Sequence, residues 1–123
     1  MGCFTEGASM FGLFGSKEKI KTFTPIELRE FLQAQNSACL LVDVREDNEW
    51  AGGHIPGAVL APLSRFQEAI AQLPSGKPLI FYCQGGVRSK RAFEQATTQG
   101  LPVEGHLGGG ITAWRGAGLP IAP

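Results

Sequence analysis

Leu79-Ile80-Phe81-Tyr82-Cys83-Gln84-Gly85-Gly86-Val87-Arg88-Ser89 is the stretch that decides the fold. Its first four residues are large and apolar without alternation, which is how a strand covered on both faces reads. The run is too short for a buried helix, and it ends at a glycine pair where the chain must turn. Beyond the turn Ala92, Phe93 and Ala96 recur at helical spacing as far as Gly100, a residue suited to ending a helix. A buried strand that hands directly to a helix is the first half of a strand–helix–strand crossover, the unit from which parallel sheets are built.

Outward from this centre the alternation repeats. Thr24-Pro25-Ile26-Glu27 has the pattern of a capping box, with Pro25 at the first helical position and Phe23 placed to pack on Leu28. The helix it opens carries Leu28, Phe31 and Leu32 on one face and ends near Asn36. Cys39 to Val44 is a second buried-type strand, with Asp43 near its C-terminal end. The turn His54-Ile55-Pro56-Gly57 leads into a small strand from Ala58 to Leu60, and a helix carrying Phe66, Ile70 and Leu73 follows. Val103 centres a weak strand, and Ile111 to Trp114 form a short closing helix. The predicted fold class is α/β: three layers, with a mainly parallel twisted sheet and helices on both faces. Ligands of such sheets bind beyond the C-terminal strand ends, where both Asp43 and Cys83 lie.

A chain of 123 residues with 43% hydrophobic and 18% charged residues has the composition of one folded domain and lacks the signature of disorder. Residues 1–16, rich in Gly and Ser, read as a flexible tail, and residues 17–123 as a single domain. Eleven basic residues balance eleven acidic ones, so no electrostatic footprint for nucleic acid or an anionic membrane exists. No apolar run approaches the roughly 18 residues that span a bilayer. Glu6 occupies the position where a myristoylation start needs a small hydroxyl residue. With no secretory leader pattern either, the expectation is a cytoplasmic chain. The three cysteines, Cys3, Cys39 and Cys83, are an odd number and predict no disulfide framework; with two lone histidines they lack zinc-ligand spacing and predict no metal site.

Cys83 stands out by its context. Adjacent glycines adopt backbone angles that other residues avoid, which lets consecutive amide N–H groups turn inward as a nest for an anion. The helix that follows adds its positive N-terminal end, and Arg88 a permanent charge. A thiol at the mouth of such a loop is expected to be held largely as thiolate, the form that acts as a nucleophile.

Three separated segments carry a resemblance. They are Asp43-Val44-Arg45-Glu46 with Glu49-Trp50 and Gly53-His54-Ile55-Pro56-Gly57-Ala58; Cys83-Gln84-Gly85-Gly86-Val87-Arg88-Ser89; and Leu107 with Gly109-Gly110-Ile111, Ala113-Trp114 and Ala117-Gly118-Leu119-Pro120. In this order and spacing the chain resembles the rhodanese (sulfurtransferase) family over most of its length. The resemblance implies that Cys83 takes a sulfane sulfur from a donor, becomes a persulfide and passes the outer sulfur to a thiophilic acceptor. Gln84, Gly85, Gly86, Val87 and Arg88 would form the loop whose amides cradle that sulfur, and Ser89 would add a hydroxyl donor. No metal or organic cofactor is implied. The implied partners are a small-molecule sulfur donor such as thiosulfate, or a persulfide that a protein can also carry, and a thiol or cyanide-like acceptor. Gln84 and Gly85 stand where thiosulfate-using members often carry Arg or Lys.

Around the loop, Asp43, Arg45 and Glu49 read as supporting residues without direct chemistry. Arg45 and Glu49 are spaced to pair if that stretch is helical, and the alternative is that Asp43 holds Arg88. His54 reads as a structural residue of its turn in preference to a base for Cys83, and His106 receives no role. Trp50 and Trp114 read as core, and Cys39 as an inert buried thiol. Two other function classes compete. A cysteine phosphatase or arsenate reductase uses the same thiolate-in-a-loop device, but four residues separate Cys83 from Arg88 where the resemblance to phosphatases calls for five, and Tyr82 replaces their His. A non-catalytic or sulfur-carrier rhodanese-like module is the other, and retention of Cys83 in an intact loop speaks for chemistry.

Overall fold

The computed structural model describes residues 20–35 and 38–123; the boundary expected at residue 17, the tail 1–16 and Cys3 lie outside them. Five strands, β1 (Thr22–Phe23), β2 (Leu40–Asp43), β3 (Val59–Leu60), β4 (Leu79–Tyr82) and β5 (Val103–Leu107), form one sheet in the order β1-β5-β4-β2-β3. Every ladder is parallel, so the expected α/β architecture holds. Among the described residues five α-helices accompany it, α1 (Pro25–Gln35), α2 (Asp47–Ala51), α3 (Phe66–Ala71), α4 (Val87–Thr98) and α5 (Gly110–Gly116), with a 3-10 turn at Leu63–Arg65. The capping box that opens α1 is made as read, with Glu27 N–H donating to Thr24 Oγ1 at 3.2 Å and Thr24 N–H to Glu27 Oε1 at 3.0 Å.

The central strands are buried along their whole length, and their two-residue period splits the interior into two cores. Leu41, Ile80 and Tyr82 face Leu28 of α1 and Ile111 and Trp114 of α5. Leu40, Val42, Phe81 and Cys83 belong to the opposite cluster, with Phe66 of α3 and Ala92, Phe93 and Ala96 of α4. Cys39 packs in the first cluster, on the far side of the sheet from Cys83, and is disulfide-bonded where an inert thiol was expected. Apolar surface buried on both faces stabilises this sheet by roughly 25 cal/mol per Å².

Two further expectations need correction. β1 was not anticipated, because a strand of two residues has no period to read; it pairs with β5 through Thr22 opposite His106 and Phe23 opposite Leu107. Trp50 is only half-buried and stacks on His54, with ring centroids 3.6 Å apart and planes 4° apart, whereas Trp114 is core as expected.

Candidate active site

β4 delivers Cys83 to the C-terminal edge of the sheet, where the residue is 1% exposed. Gly86 then takes φ +109° as the residue before α4, a left-handed conformation that glycine adopts without strain. The result is a turn whose amides point back at the thiol: Gly86 N–H donates to Cys83 Sγ at 3.1 Å and Ser89 N–H at 3.3 Å. The outer side of the same loop is held by α5. Ile111 N–H donates to the Cys83 carbonyl at 2.9 Å and Thr112 N–H to the Gln84 carbonyl at 3.2 Å. With these carbonyls fastened outward to a helix N-terminus, the loop leaves its N–H groups for the sulfur, an arrangement that favours negative charge there.

The side chains of the loop divide their work differently from the expectation. The Ser89 hydroxyl contacts the Gly86 carbonyl at 3.2 Å and His106 Nδ1 at 2.8 Å, so Ser89 serves Cys83 through its backbone N–H. Val87 is 70% exposed at the rim, and Gly85 has open space around its Cα. Gln84 is fixed from two sides: its Oε1 accepts from Arg45 Nη1 at 3.3 Å and its Nε2 donates to Thr112 Oγ1 at 2.9 Å.

The ion pairs are exchanged relative to the sequence reading. Arg45 binds Asp43, with Nη2 donating to Oδ2 at 2.8 Å and Nε to both carboxylate oxygens at 3.1 Å. Its Nη2 also donates to the Gly53 carbonyl at 2.8 Å, so this buried guanidinium ties the end of β2 to the turn before β3. Arg88 is held by Glu49 instead, through Nη1–Oε1 at 2.8 Å and Nη2–Oε2 at 2.9 Å. Helical spacing misleads here because Arg45 precedes Glu46, the cap of α2, and so lies outside the helix that carries Glu49. Glu49 closes a capping box by accepting Glu46 N–H at 2.9 Å while it holds Arg88.

The hydrogen bonds from Arg88 pull the Glu49 carboxyl from its ordinary 4.5 down to about 2, helped by the Glu46 amide and opposed by burial. A carboxyl whose folded value is depressed contributes stability that is present above its unfolded value and is lost as pH falls through the folded one. Replacing Glu49 by Gln is therefore expected to lower the urea midpoint most at neutral pH, with the gap to the parent protein closing between pH 4.5 and about 2. A gap of constant size across that range would mean that the pair contributes nothing through charge.

A model of the rhodanese-like domain matches residues 24–117. The chain belongs to the rhodanese-like domain family. Among its relatives are the adenylyltransferase/sulfurtransferase MoeZ of Mycobacterium tuberculosis, 41% identical over 78% of this chain, and a sulfurtransferase of Allochromatium vinosum, 36% identical over 72% of this chain and 82% of its own length. The chain spans 25% of the length of MoeZ and 54% of a Synechocystis relative. The crystal structure of a rhodanese-related protein from Thermoplasma volcanium superimposes with a TM-score of 0.71 at 27% identity, covering 83% of this chain and 97% of that one. In this rhodanese-like domain the N–H groups of Gly86 and Ser89 meet Cys83, Glu49 binds Arg88, and Arg45, bound to Asp43, reaches Gln84. His54 is a turn residue, with Nδ1 3.3 Å from the Trp50 carbonyl. Sequence reasoning missed Thr112, Gly110 and His106. The Gly109-Gly110 pair was a visible signal for the second, while a lone threonine and a lone histidine carry no spacing to read.

Proposed function

We propose that this rhodanese-like domain is a sulfurtransferase that carries a sulfane sulfur on Cys83 between a donor and a thiophilic acceptor. The observation that carries the reading is the pair of N–H groups, from Gly86 and Ser89, trained on the sulfur of a buried cysteine at a strand end. Preset donors of this kind stabilise anionic sulfur without reorganising at the moment of reaction. With thiosulfate, the Cys83 thiolate attacks the sulfane sulfur, a new S–S bond forms, the S–S bond to the sulfonate breaks and sulfite leaves with the electron pair. With a persulfide R–S–SH, the same attack on the outer sulfur releases R–S⁻. A thiolate or cyanide acceptor then takes the outer sulfur and restores the Cys83 thiolate, so the cycle needs no external oxidant or reductant. It does need Cys83, a free cysteine here, kept reduced between turnovers. Among the described residues no helix is long and apolar enough to cross a membrane.

The charges around the mouth favour donors of low charge. Both arginines near the loop already hold carboxylates, Arg45 with Asp43 and Arg88 with Glu49, so neither offers the dianion of thiosulfate an unshared cation. A persulfide group brings one negative charge or none to the reacting sulfur, where thiosulfate brings the charge of its sulfonate as well, so persulfides fit this mouth better. The test is mass spectrometry of the intact protein after exposure to thiosulfate and, separately, to glutathione persulfide. One added sulfur atom located on Cys83 by fragmentation is expected, with the persulfide loading at lower donor concentration. No added sulfur from either donor would sink the proposal.

A further inference from the structure

His106 lies 6% exposed in β5, beneath the loop, and the chemistry above leaves it unused. Its ring bridges two elements. Nδ1 is 2.8 Å from Ser89 Oγ in α4, and Nε2 is 3.3 Å from Thr22 Oγ1 in β1. Ser89 Oγ is in turn 3.2 Å from the Gly86 carbonyl, which also accepts Lys90 N–H at 3.3 Å.

Proton counting fixes the direction of this chain of contacts. A carbonyl only accepts, so the single hydroxyl proton of Ser89 must go to Gly86 if that contact is a hydrogen bond. Ser89 Oγ can then only accept from the ring, which requires a proton on Nδ1. In a neutral imidazole Nε2 is then the bare nitrogen, and Thr22 O–H supplies the proton it accepts. Burial, and after it the positive charge of Lys90, lower the affinity of the ring for a second proton, so the neutral form is the one to consider. One tautomer satisfies all three contacts together. In the other, the Gly86 carbonyl loses its bond from Ser89.

The two residues tied by this relay are the two whose amides hold the Cys83 sulfur. We propose that His106 is a positioning residue: as the Nδ1–H tautomer it orients Ser89 and, through it, the Gly86 carbonyl, and so keeps the amides of Gly86 and Ser89 aimed at the sulfur. Its kinetic consequence rests on the sulfur-transfer reading, but its geometric consequence does not.

The test has three arms on the full chain. Nitrogen NMR of the histidine rings is expected to show His106 protonated on Nδ1 and bare on Nε2 at neutral pH; the opposite tautomer overturns the proposal, and this arm needs no variant. The second arm measures persulfide formation from glutathione persulfide and, independently, alkylation of Cys83 by iodoacetamide. Asn places an amide near the position of Nδ1 and Gln near that of Nε2, so His106→Gln should slow both reactions about tenfold, the size of one hydrogen bond's contribution. His106→Asn should recover most of the loss. The slowing should appear in the first-order rate at saturating donor and leave half-saturation nearly unchanged. In the third arm, His106→Gln is expected to cost nothing further in a Ser89→Ala background, since the effect passes through that hydroxyl. A residue with a merely structural role would lower the urea midpoint alike in the Gln and Asn variants and leave both rates untouched, and that result overturns the proposal. Should the parent protein be alkylated at Cys83 yet never gain sulfur, the sulfur-transfer reading fails, and alkylation and NMR still decide the role of His106.

Discussion

Cys83→Ser is expected to abolish sulfur transfer, with a loss of at least about 10³-fold and no persulfide by mass spectrometry, while the domain stays folded. The hydroxyl of serine remains protonated at neutral pH and the loop holds no base beside it, so the nucleophile is lost outright. The fold is spared because serine has nearly the same shape and its oxygen can accept the two N–H groups, from Gly86 and Ser89, that the sulfur now accepts. The buried site satisfies the new polar atom, which keeps the stability change within about 1 kcal/mol. Urea unfolding and a sulfur-transfer assay on the same preparation check both halves. Activity above a trace would place the chemistry elsewhere, and an unfolded variant would show that the thiol is needed as packing.

The part of the site that the sequence announces is the part written in consecutive residues. Leu79–Tyr82 are apolar on both strand faces, and two glycines and a helical pattern follow, so the strand, the turn and the inward amides could all be read in one direction along the chain. What it conceals are choices made between elements. Which arginine meets which carboxylate depended on where α2 begins, and a five-residue helix with its cap at Glu46 is too short to betray its start. The role of Ser89 turned from hydroxyl donor to amide donor because β5 places His106 beside the hydroxyl, and nothing near residue 89 in the chain signals that neighbour. β1 was invisible for a related reason: Thr22 and Phe23 become a strand only because β5 supplies the ladder. For Ser89 and β1 the missing information was the sheet order, which places β5 between β1 and β4.

Gly110→Ala is expected to damage the site from a distance of one helix. Gly110 opens α5 at φ +60°, and a Cβ there would collide with the Gln84 carbonyl oxygen and stand 2.5 Å from that of Cys83. Both are backbone atoms of the active loop and cannot swing aside as a side chain would. They are also the acceptors for Thr112 and Ile111 N–H, so relief of the clash requires α5 to withdraw and release the two carbonyls that hold the amides inward. The left-handed conformation adds roughly 1–2 kcal/mol for an alanine, and overpacking against fixed backbone typically costs a further 1–3 kcal/mol. A total loss of about 2–5 kcal/mol follows, and a displacement near 1 Å at the sulfur can slow the reaction by roughly 10²-fold. Gly116, at the far end of α5, has nothing within 4 Å of the corresponding position, so Gly116→Ala tests whether the helix merely dislikes alanine. Urea midpoints and the rate of persulfide formation are to be measured on both variants. The expected outcome is a Gly116→Ala protein indistinguishable from the parent and a Gly110→Ala protein that is weakened and slow. If Gly110→Ala kept its stability and its rate, the docking of α5 on the Cys83 and Gln84 carbonyls would have no part in shaping the loop.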